Sequence, residues 1–221
     1  MKRILFLSLF VLLPLIVSAA IVPQCSQFGT GTATDIQIAG SVWQATNADG
    51  VGTFACEQQD KIYSNFFVLG MSVDTSLRLQ VQALAAGDFH TVAFNGNFTG
   101  NFLVSYDIAV DLAISPDFTI SRVSGDLSNP SGVGTPSNLK EVFDAGGNFI
   151  GSLTSTPGNP GTPFFTGGVT SLQVFDSYTA GGGAAVSVAN TFLETTPEPV
   201  TMVLLGTGLL GIGALGRRRK K

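Results

Sequence analysis

From Asn101 to Asp111 the chain alternates, with Phe102, Val104, Tyr106, Ile108 and Val110 on one side and Ser105, Asp107 and Asp111 on the other. Successive side chains of a strand point to opposite faces, so this pattern predicts a β-strand with one buried and one wet face. Ser76 to Ala83 repeats it, with Leu77, Leu79 and Val81 inward and Arg78, Gln80 and Gln82 outward. Further strand-like segments are Ile62 to Val73, Thr91 to Phe98, Phe118 to Val123, Phe149 to Leu153, Val169 to Phe175 and Ala185 to Leu193. Many short strands separated by turn residues predict an all-β fold, an antiparallel β-sandwich of jelly-roll-like kind.

Turn chemistry refines the expectation. Asn95-Gly96, between Val92-Ala93-Phe94 and Phe98, is the strongest hairpin signal, and Asp49-Gly50 and Gly146-Gly147-Asn148 are similar, because each supplies a residue tolerant of positive φ. Glycine, proline and serine accumulate from Ser124 to Gly168, which predicts long surface loops around the short strand Phe149 to Leu153. Only Thr34 to Ala48 suggests a helix, and Ile36, Ile38 and Gly40 weaken it.

The two ends break the pattern. Met1-Lys2-Arg3, the apolar run Ile4 to Val17 and the small residues Val17-Ser18-Ala19 predict a signal peptide over residues 1–19, cut by signal peptidase after Ala19 or Ala20. Residues 20–194 then form the exported sandwich domain. Residues 196–221 hold Pro197-Glu198-Pro199, the apolar stretch Val200 to Leu215 and the basic end Arg217-Arg218-Arg219-Lys220-Lys221. As a helix that stretch would span about 24 Å, somewhat short of a hydrocarbon core of about 30 Å. The expectation is a marginal transmembrane helix in the inner membrane, with the cationic cluster kept in the cytoplasm.

This order of parts resembles the PEP-CTERM sorting tail, with Pro197, Glu198, Pro199, Gly208, Leu209 and Arg217, Arg218 and Arg219 standing where that family has its marks. The resemblance implies recognition by exosortase, a membrane-embedded peptidase or transpeptidase of Gram-negative bacteria that make exopolysaccharide. It also implies transient anchoring and then display at the surface or release. The body is similar to the exported domain often found before such tails, through Asp60-Lys61-Ile62-Tyr63-Ser64-Asn65-Phe66, Val104-Ser105-Tyr106-Asp107-Ile108 and Ala189-Asn190-Thr191-Phe192. That similarity implies fold and destination only.

Composition narrows the function. The chain has 221 residues, 44% of them hydrophobic and only 12% charged, enough apolar material for one ordinary domain and too much for disorder. Between the two ends lie four basic and fourteen acidic residues, a net of −10, which repels phosphate backbones and excludes a nucleic-acid partner. Cys25 and Cys56, an even pair behind an export signal, predict one disulfide. They and the single histidine are too few soft ligands for a zinc site, so neither metal nor cofactor is expected.

Candidate chemistry is sparse. His90 is the one neutral-pH acid or base and is expected on a strand surface, where it builds no triad. Asp107 and Asp111 stand about 13 Å apart along a strand, beyond the roughly 5–9.5 Å of a glycosidase carboxyl pair. Asp35, Asp49, Asp60 and Asp126 read as solvated surface charge, since no calcium-loop pattern contains them. The expectation is a non-enzymatic surface or matrix protein. The alternative is a carbohydrate-binding or adhesive module associated with exopolysaccharide, with Trp43 or an exposed phenylalanine as the sugar platform.

Overall fold

The computed structural model describes residues 22–44, 54–84, 87–128 and 131–195. The expected signal peptide with Ala19 and Ala20, and the tail with Pro197, Glu198, Pro199, Arg217, Arg218 and Arg219, lie outside these residues, as does Asp49-Gly50. Among the described residues no helix is long and apolar enough to cross a membrane.

Among the described residues, fourteen strands pair antiparallel into two sheets. In chain order they are β1 (Gly29–Thr32), β2 (Asp35–Ile38), β3 (Cys56–Gln58), β4 (Lys61–Leu69), β5 (Ser76–Leu84), β6 (Gly87–Phe98) and β7 (Phe102–Val110). There follow β8 (Thr119–Ser128), β9 (Ser131–Gly132), β10 (Ser137–Asp144), β11 (Phe149–Ser155), β12 (Phe164–Val169), β13 (Ser171–Thr179) and β14 (Gly183–Thr195). The larger sheet runs β1-β2-β5-β6-β14-β8-β12, with β9 paired to β14, and the smaller runs β11-β10-β13-β7-β4-β3.

The alternation read from the sequence sets the core. Phe102, Val104, Tyr106, Ile108 and Val110 of β7 are buried, as are Leu77, Leu79 and Val81 of β5. The inner faces meet over an aromatic spine in which Phe66 stacks on Tyr106 (5.4 Å) and Phe94 and Phe192 approach Tyr106 edge-on. Each such ring removes roughly 150–250 Å² from water, which makes this spine a main source of stability. The Cys25–Cys56 disulfide joins the segment entering β1 to β3. It therefore ties an edge of one sheet to an edge of the other.

Three local expectations need correction. Asn95-Gly96 makes no hairpin: both residues lie inside β6, whose chain turns only after Phe98 and crosses to the other sheet as β7. A Cβ on Gly96 would lie 3.0 Å from the Thr75 hydroxyl and 3.1 Å from the Phe98 ring, so this glycine provides close packing rather than a turn. The described part of the expected helix, residues 34–44, forms no long helix, because Ile36 and Ile38 are buried at strand spacing in β2, leaving one helical turn at Gly40–Trp43 (α1). The stretch from Ser124 to Gly168, expected as loops around one short strand, contains the end of β8, all of β9 to β11 and β12 up to its last residue.

Candidate functional site

The polar groups that the sandwich places between its sheets form two clusters. At one end, β4 contributes Lys61, the turn before it Asp60, β6 His90 and β14 Glu194, and all four are buried. The Lys61 ammonium lies 2.5 Å from Glu194 Oε1 and 2.9 Å from Asp60 Oδ1. His90 Nε2 is 3.3 Å from Glu194 Oε2 and 3.7 Å from Asp60 Oδ1. His90 is therefore not the surface residue expected from the sequence, and Asp60 is not solvated. Both are turned inward because charged or polar partners meet them there: Lys61 stands beside Asp60, Glu194 comes from the same sheet as His90, and Asp60 and His90 face each other across the two sheets.

The charges in this cluster are coupled. Burial alone would raise the Asp60 carboxyl, but the hydrogen bond and charge of Lys61 outweigh it and hold Asp60 below its ordinary value of 3.8. Burial, and next to it the Asp60 and Glu194 charges, push the Tyr63 phenol up. Nearby, burial and then the adjacent Asp111 carboxylate raise Glu57, against a hydrogen bond from Gln24 that favours its charged form.

One ligand atom each from Asp60, His90 and Glu194 lies within 4.8 Å of the others, a spacing that suits a cation. Lys61 already supplies one there. A metal would have to share two carboxylates with a buried ammonium 2.5 Å from one of them, so the donor set does not fit a resident metal.

The second cluster lies between β10, β13, β14 and β7. Asp176 Oδ1 accepts from Lys140 Nζ at 2.6 Å and from Asn138 Nδ2 at 2.7 Å, and Asp176 Oδ2 accepts from Asn190 Nδ2 at 2.5 Å. Asn190 also donates to the Tyr106 hydroxyl at 2.9 Å, which closes a link between the sheets. Lys140 and Asp176 are fully buried. Burial lowers the Lys140 ammonium, and the Asp176 charge and hydrogen bond oppose that shift. Gly125 makes the space: a Cβ there would sit 3.2 Å from Lys140 Cε and 3.1 Å from Leu153 Cδ1.

Trp43 requires a correction. Its ring is fully buried, packed edge-on against Phe66 (5.8 Å) and tilted against Phe94 (5.4 Å), and Nε1 donates to the Thr75 carbonyl at 3.3 Å. With neither face accessible, it offers no sugar platform. A groove of about 730 Å³ beside it is lined by Phe28, Gln37, Ser41, Val73, Asp74 and other residues, without a facing acid pair. Asp107 accepts from Asn65 Nδ2 at 2.6 Å, and Asp111 Oδ1 accepts from the Ala113 amide at 2.8 Å.

Exposed aromatic side chains occur elsewhere, on the outer face of the smaller sheet. Phe143 of β10 contacts Phe149 of β11 (centroids 5.6 Å apart) and Phe175 of β13 (5.4 Å), both edge-to-face. The sequence reading missed this group because Phe143 falls in a stretch read as loop.

A two-sheet antiparallel β-sandwich with sealed ionic clusters and one disulfide is the class of domain defined so far. The chain carries a PEP-CTERM protein-sorting motif: the family model of that motif matches residues 195–220. No curated protein matches the chain in sequence. Among solved structures it is similar to the C-terminal family 22 carbohydrate binding module of Clostridium thermocellum Xyn10B, with 9% identity, a TM-score of 0.29, and coverage of 68% of this chain and 97% of that one. It is also similar to a CBM4 structure, with 11% identity, a TM-score of 0.25, and coverage of 60% and 86%.

Proposed function

We propose that this protein is an exported, non-enzymatic surface or extracellular-matrix protein whose C-terminal tail is recognised and cut by exosortase. The observation that carries this reading is the sorting-motif match at residues 195–220. Its parts divide the work. The basic cluster Arg217 to Lys221 stops transfer, and the short glycine-rich stretch before it holds only weakly. The two prolines keep Pro197-Glu198-Pro199 out of a helix, which leaves an extended peptide for a protease to bind. The non-enzymatic part is supported by the buried state of the ionisable groups: Lys61, His90 and Glu194 engage one another between the sheets, and Asp176 engages Lys140.

The test is mass spectrometry of the protein recovered from the surface or medium of a host with exosortase and of an isogenic strain lacking it. The expected product in the first lacks the residues after Pro197-Glu198-Pro199, and the second accumulates the uncut form. Intact Lys221 in the first strain would refute processing. Identical products in both would refute exosortase, and turnover of any polysaccharide by the purified protein would refute the non-enzymatic reading.

A further inference from the structure

The rings of Phe143, Phe149 and Phe175 lie on the side of the smaller sheet opposite the core. The neighbouring Val142 and Val174 point inward and are fully buried, so strand alternation sends Phe143 and Phe175 outward. Phe149 is 58% exposed and Phe175 is 37% exposed. A solvated sheet face ordinarily carries polar side chains. Here three aromatic rings touch, on three adjacent strands that fix their positions.

We propose that this patch is a binding platform for neutral polysaccharide, with the apolar faces of sugar rings stacked on Phe149 and Phe175. Gln173, paired with Phe143 in the register, and Ser152, paired with Glu141, place uncharged donors and acceptors beside the rings for sugar hydroxyls. The inference rests on the reading of the protein as extracellular, where such polymers surround it.

Charge and size select this occupant. A body with a net of −10 repels polyanions, and Glu141 adds a negative charge beside the rings, so acidic polysaccharide and anionic lipid are disfavoured. Phe149 and Phe175, with Phe67 and Leu139 exposed on the same face, together show on the order of 350 Å² of apolar surface. That is well short of the roughly 800 Å² per partner of a standard protein interface, yet enough for one or two sugar rings.

Native gels of the full-length chain, cast with hydroxyethylcellulose, xyloglucan, laminarin or dextran and with alginate as the polyanion, test the proposal. At least one neutral polymer is expected to retard the protein, and alginate is not. Phe149→Ala/Phe175→Ala should weaken the retardation tenfold or more. Phe149→Ala alone, on the edge strand, should weaken it at least threefold with the melting temperature unchanged, which covers the case in which the double variant fails to fold. The proposal is overturned if none of the four neutral polymers retards the protein, if alginate retards it more strongly, or if Phe149→Ala behaves as wild type. It is also overturned if sedimentation shows these substitutions dissociating a dimer, because the face would then be a self-interface. Tail processing is read separately in the host, so failure here leaves the sorting proposal standing.

Discussion

A buried lysine is costly unless paired, and Lys61 and Lys140 are both fully buried. Removing one member of such a pair leaves an uncompensated charge, so Lys61→Met should lower stability by about 3–5 kcal/mol. Glu194→Gln should cost a similar amount, and the double variant should cost at least ~1 kcal/mol less than the two together, because the residues act on each other. Urea denaturation of the four proteins measures this, and strict additivity would show that the 2.5 Å contact contributes nothing. The same cluster sets an acid response. The folded-state value for Asp60 lies below 3.8, so its stabilisation is complete above that pH and is lost as pH falls through the depressed value. Glu57 runs the other way: raised above 4.5, it opposes folding when ionised and is relieved on protonation. The urea midpoint of Asp60→Asn should therefore fall less than that of wild type between pH 5 and pH 2.5. An equal fall in both proteins would remove Asp60 from the account.

At the scale of elements, legibility followed the chemistry of the inward face. β7 and β5 were readable because their inward positions are apolar, and the period-2 pattern and the buried set coincide there. β10 inverts the rule: Asn138 and Lys140 point inward while Leu139 and Phe143 point outward, so a hydrophobicity pattern shows no strand. What makes Lys140 an inward residue is Asp176, far away in sequence, and no local pattern encodes that partner. His90 was misread for the same reason, since Asp60 and Glu194 reach it only through the tertiary fold. Trp43 was legible as an important aromatic residue but not as a buried one, because its neighbours Phe66 and Phe94 come from β4 and β6. The disulfide was legible from residue count and export signal, and the structure adds that it joins the edges of two sheets. With a sequence separation of 31 residues, its loss should cost about 3–4 kcal/mol by restoring freedom to the unfolded chain. Cys25→Ala/Cys56→Ala should show this as a lower urea midpoint. Labelling of the exported protein without reductant should find no free thiol, and labelling of both cysteines would overturn the bridge.

The whole molecule joins its sorting signal to its core with almost no spacer. The motif match begins at residue 195, and Glu194, one residue earlier, is the carboxylate that pairs with Lys61 between the sheets. β14 is the strand that contacts both β6 and β8, and it runs to Thr195, which pairs with Thr119 and whose carbonyl accepts from the Thr119 hydroxyl. The last strand of the sandwich is thus central in the larger sheet, and its end completes the buried charge cluster. Any cut that releases the body intact must fall beyond Glu194, which the Pro197-Glu198-Pro199 region satisfies. A body ending after Thr195 should keep the full urea midpoint of the longer chain, because every described hydrogen bond and ion pair of β14 remains. A body ending after Leu193 loses Glu194 and leaves Lys61 facing Asp60 and His90 alone, so it should lose about 3–5 kcal/mol, as expected for a broken buried pair. The loss should resemble that of Glu194→Gln in the longer chain. If the two truncated bodies unfold at the same urea concentration, the cluster is not what ties the end of the domain to its core, and the proteolytic margin before the tail is wider than two residues.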